Sequence, residues 1–297
     1  MKRILITGGN GYLGSKLALA LKEKGHEVEI FDAPKDIRNK AEIEEAVKGK
    51  DIVYHLAAVA NLSWTDAHPE ETFDINANGT KNVADACAAN KAVLNFTSTC
   101  CIYGEPFEIP STEDGLINPT DCYAASKAAG EWIVKAWNFS KGLTYNILRL
   151  GTVYGPGIGN QFRTDTAIPI FLLKAIKGEK LPILGTGKEI RNYIYIDDLI
   201  EALVMIAESQ IENETINIAG TEQISVFDIA RVALKLTELP ENHIEFHQVR
   251  KNNFKYQFVS IKKVEKLLGW HPKTRFEQGM AELCEWIKIQ LKEGKLK

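Results

Sequence analysis

The strand-like run RILIT (residues 3–7) passes directly into Gly8-Gly9-Asn10-Gly11-Tyr12-Leu13-Gly14, and apolar Leu13, Leu17, Ala20 and Leu21 follow at helical spacing. Glycines at 8, 11 and 14 permit a tight strand-to-helix turn, let backbone approach a pyrophosphate, and let helix pack closely on strand. The helix start then faces the phosphates with unpaired N–H groups and a partial positive charge. The next strand-like run, EVEIF, ends beside Asp32. A carboxylate about 20 residues beyond the glycines accepts hydrogen bonds from an adenosine ribose. Its charge repels a 2′-phosphate, so Asp32 favours NAD over NADP, with Lys35 close enough to soften that preference.

Short β-branched runs alternate with helical stretches through the first half: RILIT, YLGSKLALALKEK, EVEIF, AEIEEAVK, DIVYHLA, a long helix over about 71–89, VLNFTST, a helix over about 122–140, and TYNILRL. That alternation predicts βαβ units and a parallel sheet. Gly25 and Gly142 stand where helices end. After Leu150, GTVYGPGIGN reads as a loop, a helix over about 169–177 follows, and RNYIYI, a helix from about Asp197 and TINIAG read as a return to the sheet. Two helices, the strand-like IEFHQV and an amphipathic helix over 276–291 make up the remainder. The expected fold class is α/β, a Rossmann-type doubly wound parallel sheet with a smaller, mostly C-terminal α/β substrate-binding lobe. Residues 1–152 and 188–219 form the NAD-binding part, and 153–187 and 220–297 the lobe.

Composition narrows the partners. The 297 residues carry 36 Lys and Arg against 39 Asp and Glu, a net charge of -3. No basic field is present to attract nucleic acid or an anionic membrane. No apolar run approaches the roughly 20 residues of a membrane span, and Gly8 and Gly9 interrupt the apolar run near the start, so a cytoplasmic protein with a small-molecule partner is expected. The five cysteines lack the spacing of a disulfide framework or a zinc ribbon. His243 and His247 stand in strand-like alternation, and no metal site is expected.

Tyr123-Ala-Ala-Ser-Lys127 opens a strong helical segment, which puts Tyr123 and Lys127 one turn apart on one face. VLNFTST ends at Thr99, a hydroxyl at the carboxyl end of a parallel strand, where open α/β sheets bind ligands. A tyrosine of pKa about 10 is a poor base at neutral pH, and bringing it to about 7 takes roughly 4 kcal/mol. An ammonium about 4 Å away supplies on the order of that at an effective dielectric of 20.

Together with GGNGYLG, YAASK, INANGT, STCCIYG, TVYGPG and RNYIYIDDL, these residues make the chain resemble the extended short-chain dehydrogenase/reductase family, in its nucleotide-sugar epimerase/dehydratase branch. The resemblance covers nearly the whole chain. It implies NAD held by Gly8, Gly11, Tyr12, Leu13 and Gly14 at the phosphates, Asp32 at the ribose, and Asp36 and Ile37 at the adenine. Leu56, Ala57 and Ala58 would lie beside the cofactor, Asn76 in the helix behind the active site, and Tyr123 and Lys127 at the reacting end. It further implies that Tyr123 removes a sugar hydroxyl proton while the adjacent carbon gives hydride to NAD, with Thr99 hydrogen-bonded to the same oxygen.

Members of this branch share a keto-sugar and then diverge. A 4,6-dehydratase is expected to carry Asp-Glu after the hydroxyl residue, and this chain has Cys100-Cys101. Two readings of that pair stand: small thiols filling space, or acid–base groups for an unusual elimination. The resemblance gives Arg191 and Arg250 as diphosphate contacts, Gln257 near a position that screens bulky sugar substituents, and Thr152, Arg163 and Thr166 near the sugar. The leading expectation is an NAD-dependent 4-epimerase of a UDP-hexose or UDP-uronic acid, with UDP-glucuronate beside UDP-glucose and UDP-galactose. A dehydratase or decarboxylase sharing the 4-keto intermediate is the alternative, and a non-catalytic NAD(H)-sensing protein a remote one. The resemblance also implies a homodimer built from the helices over about 74–89 and 123–140.

Overall fold

The computed structural model describes the chain apart from residues 159, 160, 163, 249–254 and 297. Its first half runs β1 (Arg3–Thr7), α1 (Tyr12–Glu23), β2 (Glu27–Phe31), α2 (Lys40–Val47), β3 (Ile52–His55), α3 (Leu62–Ala67), α4 (Pro69–Phe73), α5 (Gly79–Asn90), β4 (Val93–Thr99), α6 (Cys122–Lys141) and β5 (Tyr145–Leu150). The second half continues with β6 (Thr152–Tyr154), α7 (Ala167–Ile176), β7 (Leu181–Leu184), β8 (Ile190–Tyr195), α8 (Ile196–Glu208), β9 (Glu214–Ile218), β10 (Gln223–Ser225) and α9 (Val226–Thr237). It ends with β11 (Ile244–His247), β12 (Tyr256–Gln257), α10 (Lys262–Leu268) and α11 (Phe276–Lys292).

Six strands form one parallel sheet in the order β2-β1-β3-β4-β5-β9. Period-2 alternation splits its side chains between two helical layers. Ile4, Ile6, Ile52 and Tyr54 pack toward α1 and α8. Leu5, Val53, Leu94 and Phe96 pack toward α2, α5 and α6. This is the doubly wound arrangement expected from the alternating pattern. Among the described residues no helix is long and apolar enough to cross a membrane.

Two elements differ from the sequence reading. RNYIYI, as β8, pairs with β6, β10 and β12 in a second sheet, and the chain rejoins the first only at β9. The cause is local: β6 follows β5 after the single residue Gly151, so the strand leaving the first sheet carries a pairing edge for β8. The long helix over 71–89 is interrupted by a π-helical turn at Asp74–Asn78. There the Asn76 side chain pairs both the N–H and the C=O of Val59, at 2.8 and 3.0 Å. α7, α9, α11 and the β7–β11 pair enclose a separate apolar core containing Phe171, Leu172, Ile183, Leu234 and Met280.

The turn after β1 leaves no room for a side chain at Gly14, where a Cβ would lie 2.2 Å from the Gly8 carbonyl oxygen. Gly14→Ala is therefore expected to destabilise the protein by about 1–3 kcal/mol, measured by thermal denaturation. An unchanged melting temperature would contradict the packing described.

Candidate active site

β1, β3, β4 and β5 end on one edge of the parallel sheet, and a cavity of about 1230 Å³ opens between that edge and the second sheet. Single-ligand pockets usually hold about 300–1000 Å³, so this space suits a long ligand, or two ligands end to end.

At one end lies the glycine turn. Gly8 has φ +72°, and a Cβ on it would lie 2.7 Å from the Ala57 amide nitrogen. With Gly14 equally confined, the backbone forms a bare cradle, and no side chain caps the start of α1. Gly11, Tyr12 and Leu13 line the same wall, with Tyr12 Oη donating to the Gly155 carbonyl at 2.8 Å. The Asp32 carboxylate accepts from the Asn10 and Ala33 amides, each at 2.8 Å, which fixes it at the cavity edge. Asp36 is held by Arg38 at 2.6 Å, and that guanidinium keeps its carboxyl below the usual carboxylate range. Ile37, Leu56, Ala57 and Ala58 continue the wall. Asn76 stands behind it, 1% exposed, joining Val59 to Ser126 Oγ.

At the other end β4 delivers Thr99, whose Oγ1 accepts from the Cys101 amide at 3.2 Å. α6 delivers Tyr123 and Lys127, and its start is capped by Asp121, which accepts from the Ala124 amide at 2.7 Å. Lys127 is 2% exposed, with Nζ 4.3 Å from the centroid of the Phe96 ring. Burial pushes its pKa down to about 7, and the charge of Glu131 opposes that fall. Beneath lies His55, fully buried and pushed down to about 3 by desolvation and by Lys127. Its Nδ1 is 2.7 Å from Thr7 Oγ1, and its Nε2 is 3.0 Å from Thr80 Oγ1, which donates to the Asn76 carbonyl. That chain of donors assigns the neutral tautomer with its proton on Nε2.

The two cysteines part company. Cys100 is 2% exposed, donates to the Arg149 carbonyl at 3.4 Å and does not line the cavity. Cys101 does line it, half-buried, and accepts from Gln257 Nε2 at 3.1 Å. Burial raises both thiols, against the opposing influence of Arg149 on Cys100 and of Thr99, Gln257 and Arg191 on Cys101. Thr152, Thr166, Arg191 and Gln257 line the same end, with Gln257 in register with Arg191 across β12 and β8. Arg163 and Arg250 lie outside the described residues. Among the described residues no cluster of three or more His, Cys, Asp or Glu side chains has the arrangement of a metal site.

Residues 4–219 match the model of the NAD dependent epimerase/dehydratase family. The chain belongs to that family. It is 30% identical over 308 residues to a putative UDP-glucose 4-epimerase of Methanocaldococcus jannaschii, covering 96% of this chain and 98% of that protein. It is 29% identical over 318 residues to a UDP-N-acetyl-alpha-D-glucosaminuronate decarboxylase of Bacillus cytotoxicus, covering 97% and 98%. Among solved structures, a UDP-N-acetylglucosamine 4-epimerase from Methanobrevibacter ruminantium, in complex with UDP-N-acetylmuramic acid, superposes with a TM-score of 0.89 at 27% identity, covering 97% and 99%. The extended short-chain dehydrogenase/reductase resemblance is thereby met, with NAD as cofactor. The bare glycine cradle and the tethered Asp32 carboxylate fit the pyrophosphate and ribose of that group.

Several residues that build this site carry no sequence signal of their own. His55 reads as part of an apolar strand, and its buried network appears only when β1, β3 and α5 converge. Asp121 is the exception, an aspartate in the helix-start position three places before Ala124.

Burying an amine costs stability wherever the unfolded state binds the proton more tightly. With Lys127 depressed to about 7 from 10.5, its contribution is full above pH 10.5 and is lost as pH falls toward 7. Lys127→Met is expected to raise the melting temperature at pH 7 by on the order of a few degrees while abolishing turnover. Calorimetry and an activity assay on the same preparation check both, and a lower melting temperature would contradict the cost assigned to this amine.

Proposed function

We propose that this chain is an NAD-dependent nucleotide-sugar 4-epimerase acting on a UDP-hexose or UDP-uronic acid through a 4-keto intermediate. The observation that carries this reading is the wall beyond Thr99. Cys100 is turned into the core, and Cys101 is a raised, neutral thiol bonded to Gln257. Neither supplies the charged acid–base pair that eliminating water across two sugar carbons requires. Epimerisation asks for no such pair, only for a keto-sugar that can turn over before it is reduced.

Bound NAD supplies reversible hydride exchange, held by the glycine cradle, Asp32, Asp36 and the 56–58 wall. The protein's own groups handle the proton. Tyr123 Oη removes it from the sugar 4-hydroxyl and later returns it, Thr99 Oγ1 hydrogen-bonds the same oxygen, and the Lys127 ammonium stabilises the phenolate. Arg191 is assigned to the diphosphate and Thr152, Thr166 and Gln257 to the sugar. Residues 1–152 and 188–219 are the cofactor-binding part in this reading, and 153–187 and 220–297 the nucleotide-sugar lobe.

Decarboxylation of a UDP-uronic acid is the second reading. A 4-ketone lies β to the sugar carboxylate. When the C5–carboxylate bond breaks, its electron pair is taken up as a C4–C5 enolate, which a proton from water at C5 returns to the ketone. No charged acid–base pair is required, and the same neutral wall serves. A decarboxylase among the relatives supports it.

Incubating the purified protein, without added NAD, with UDP-glucuronate, UDP-glucose or UDP-N-acetylglucosamine is expected to give an isobaric C4 epimer by NMR and mass spectrometry. Loss of carbon dioxide or water would overturn epimerisation. Tyr123→Phe is expected to lower turnover by on the order of 10²–10⁴-fold, and wild-type turnover in that variant would remove Tyr123 from its role.

A homodimer belongs to this proposal. α5 and α6 pack on one another, and Trp132 and Phe139 stand 60% and 94% exposed on α6. Light scattering is expected to give twice the chain mass of 33.1 kDa, and a monomer at micromolar concentration would contradict it.

A further inference from the structure

One buried ion pair takes no part in the chemistry above. Arg149 on β5 is 1% exposed and Glu131 on α6 is fully buried. Arg149 Nε and Nη2 donate to the two Glu131 carboxylate oxygens at 3.0 and 2.8 Å. Its Nη1 donates to Tyr103 Oη at 2.7 Å and to the Glu113 carbonyl at 2.8 Å. Tyr103 Oη donates in turn to Asn217 Oδ1 on β9, at 2.8 Å. A pair sealed this deeply adds little stability over apolar residues of the same volume, so its presence asks for another reason.

Its place on α6 supplies one. Glu131 follows Lys127 by four residues, as Lys127 follows Tyr123, so the three side chains succeed one another on one helical face. Among the described residues no acceptor takes a hydrogen bond from Lys127 Nζ, which rests on the Phe96 ring. An ammonium so placed, 2% exposed, loses its proton unless an anion stands near.

We propose that Glu131 is a positioning residue for the reacting centre: its carboxylate, locked by Arg149, keeps Lys127 an ammonium, and Lys127 in turn holds Tyr123 as the phenolate. The inference rests on the roles given to Tyr123 and Lys127 above. The surrounding elements offer no substitute for the anion. His55 on β3 is held neutral, and Cys101 and Tyr103 after β4 are kept protonated by burial. Asp121 is occupied capping α6 and its carboxyl is raised, while Asp74 and Asp85 are engaged by Arg38 and Lys141. Asp66 on α3, Glu70 and Glu71 on α4, Lys81 on α5 and Lys135 on α6 are the remaining charges on the packed elements, and the three carboxylates among them are exposed to solvent. Glu131 is the charge that raises Lys127.

The test is an ultraviolet titration of phenolate absorbance on the protein as purified, with Tyr123→Phe subtracted to isolate Tyr123. Glu131→Gln is expected to move the Tyr123 titration up by about one pH unit or more, and the matching limb of the turnover profile with it. Glu131→Asp keeps the charge while disturbing the packing, and is expected to restore most of the wild-type position. A folded Glu131→Gln protein with an unmoved Tyr123 titration overturns the inference and leaves the Tyr123 role intact. Equal shifts in the Gln and Asp variants point to packing and also overturn it. If Tyr123→Phe removes no phenol titrating near neutral pH, the proton-transfer reading fails first and this inference with it. Should Glu131→Gln not fold, Glu131→Gln/Arg149→Met removes both buried charges and is judged by the same shift.

Discussion

Burying the Lys127 amine is the costly step around which the proposed reacting centre is arranged. At 2% exposure the amine has exchanged water for the face of Phe96, a contact worth about 2 kcal/mol when desolvated, less than hydration supplied. The neighbours answer that constraint. Gly130 is bare because a Cβ there would meet Phe96 Cζ at 2.7 Å, pushing the ring off the sheet. His55, 5.7 Å from the same ring, is kept neutral between Thr7 and Thr80 and so adds no second positive charge. The apolar layers on both faces of the parallel sheet carry the stability that this arrangement spends.

The parallel sheet decides where such a centre can form. Because every strand of the first sheet points the same way, the backbone turns after β1, β3, β4 and β5 gather on one edge, and the groups they carry converge without any one loop reaching far. α6 runs back from that edge, so its first turns present Tyr123 and Lys127 while its later turns bury Glu131 against β5. The second sheet enters through a single residue, Gly151, where even a Cβ would meet Ala219 at 2.8 Å. That tight junction brings Thr152 on β6 and Arg191 on β8 to the cavity from the opposite side.

The glycine turn and the carboxylate at the cavity edge were legible because each answers a local need: glycines where backbone must touch backbone, a carboxylate after the second strand. The Tyr123–Lys127 spacing was legible because helical period is a property of the segment alone. What stayed hidden depends on contacts between distant segments. Adjacent Cys100 and Cys101 are indistinguishable as letters, yet the short 3₁₀ turn after Thr99 sends one thiol to the core and the other to the cavity. The resemblance puts Asn76 in the helix behind the active site, and its part as a brace between Val59 and α6 becomes visible only with the π-helical turn that no periodicity signals. RNYIYI has the composition of a central strand in either sheet, and its partner depends on which edge β6 offers. Glu131 and Arg149 lie in a helix and a strand eighteen residues apart, and their pairing exists only once β5 and α6 are packed together.

The neutral wall beyond Thr99 has a further consequence for how the two halves of the cavity communicate. The Cys101–Gln257 hydrogen bond joins the end of β4 to β12, and β12 carries Gln257 in register with Arg191. A group bound at Arg191 is therefore linked through one residue pair and one side-chain bond to the turn that fixes Thr99. A carboxylate at position 101 would accept the same amide, but as a charge it would also lower the field that favours a phenolate at Tyr123. A thiol keeps the link between the two sheets while leaving the electrostatics of the reacting centre to Lys127 and the anion behind it.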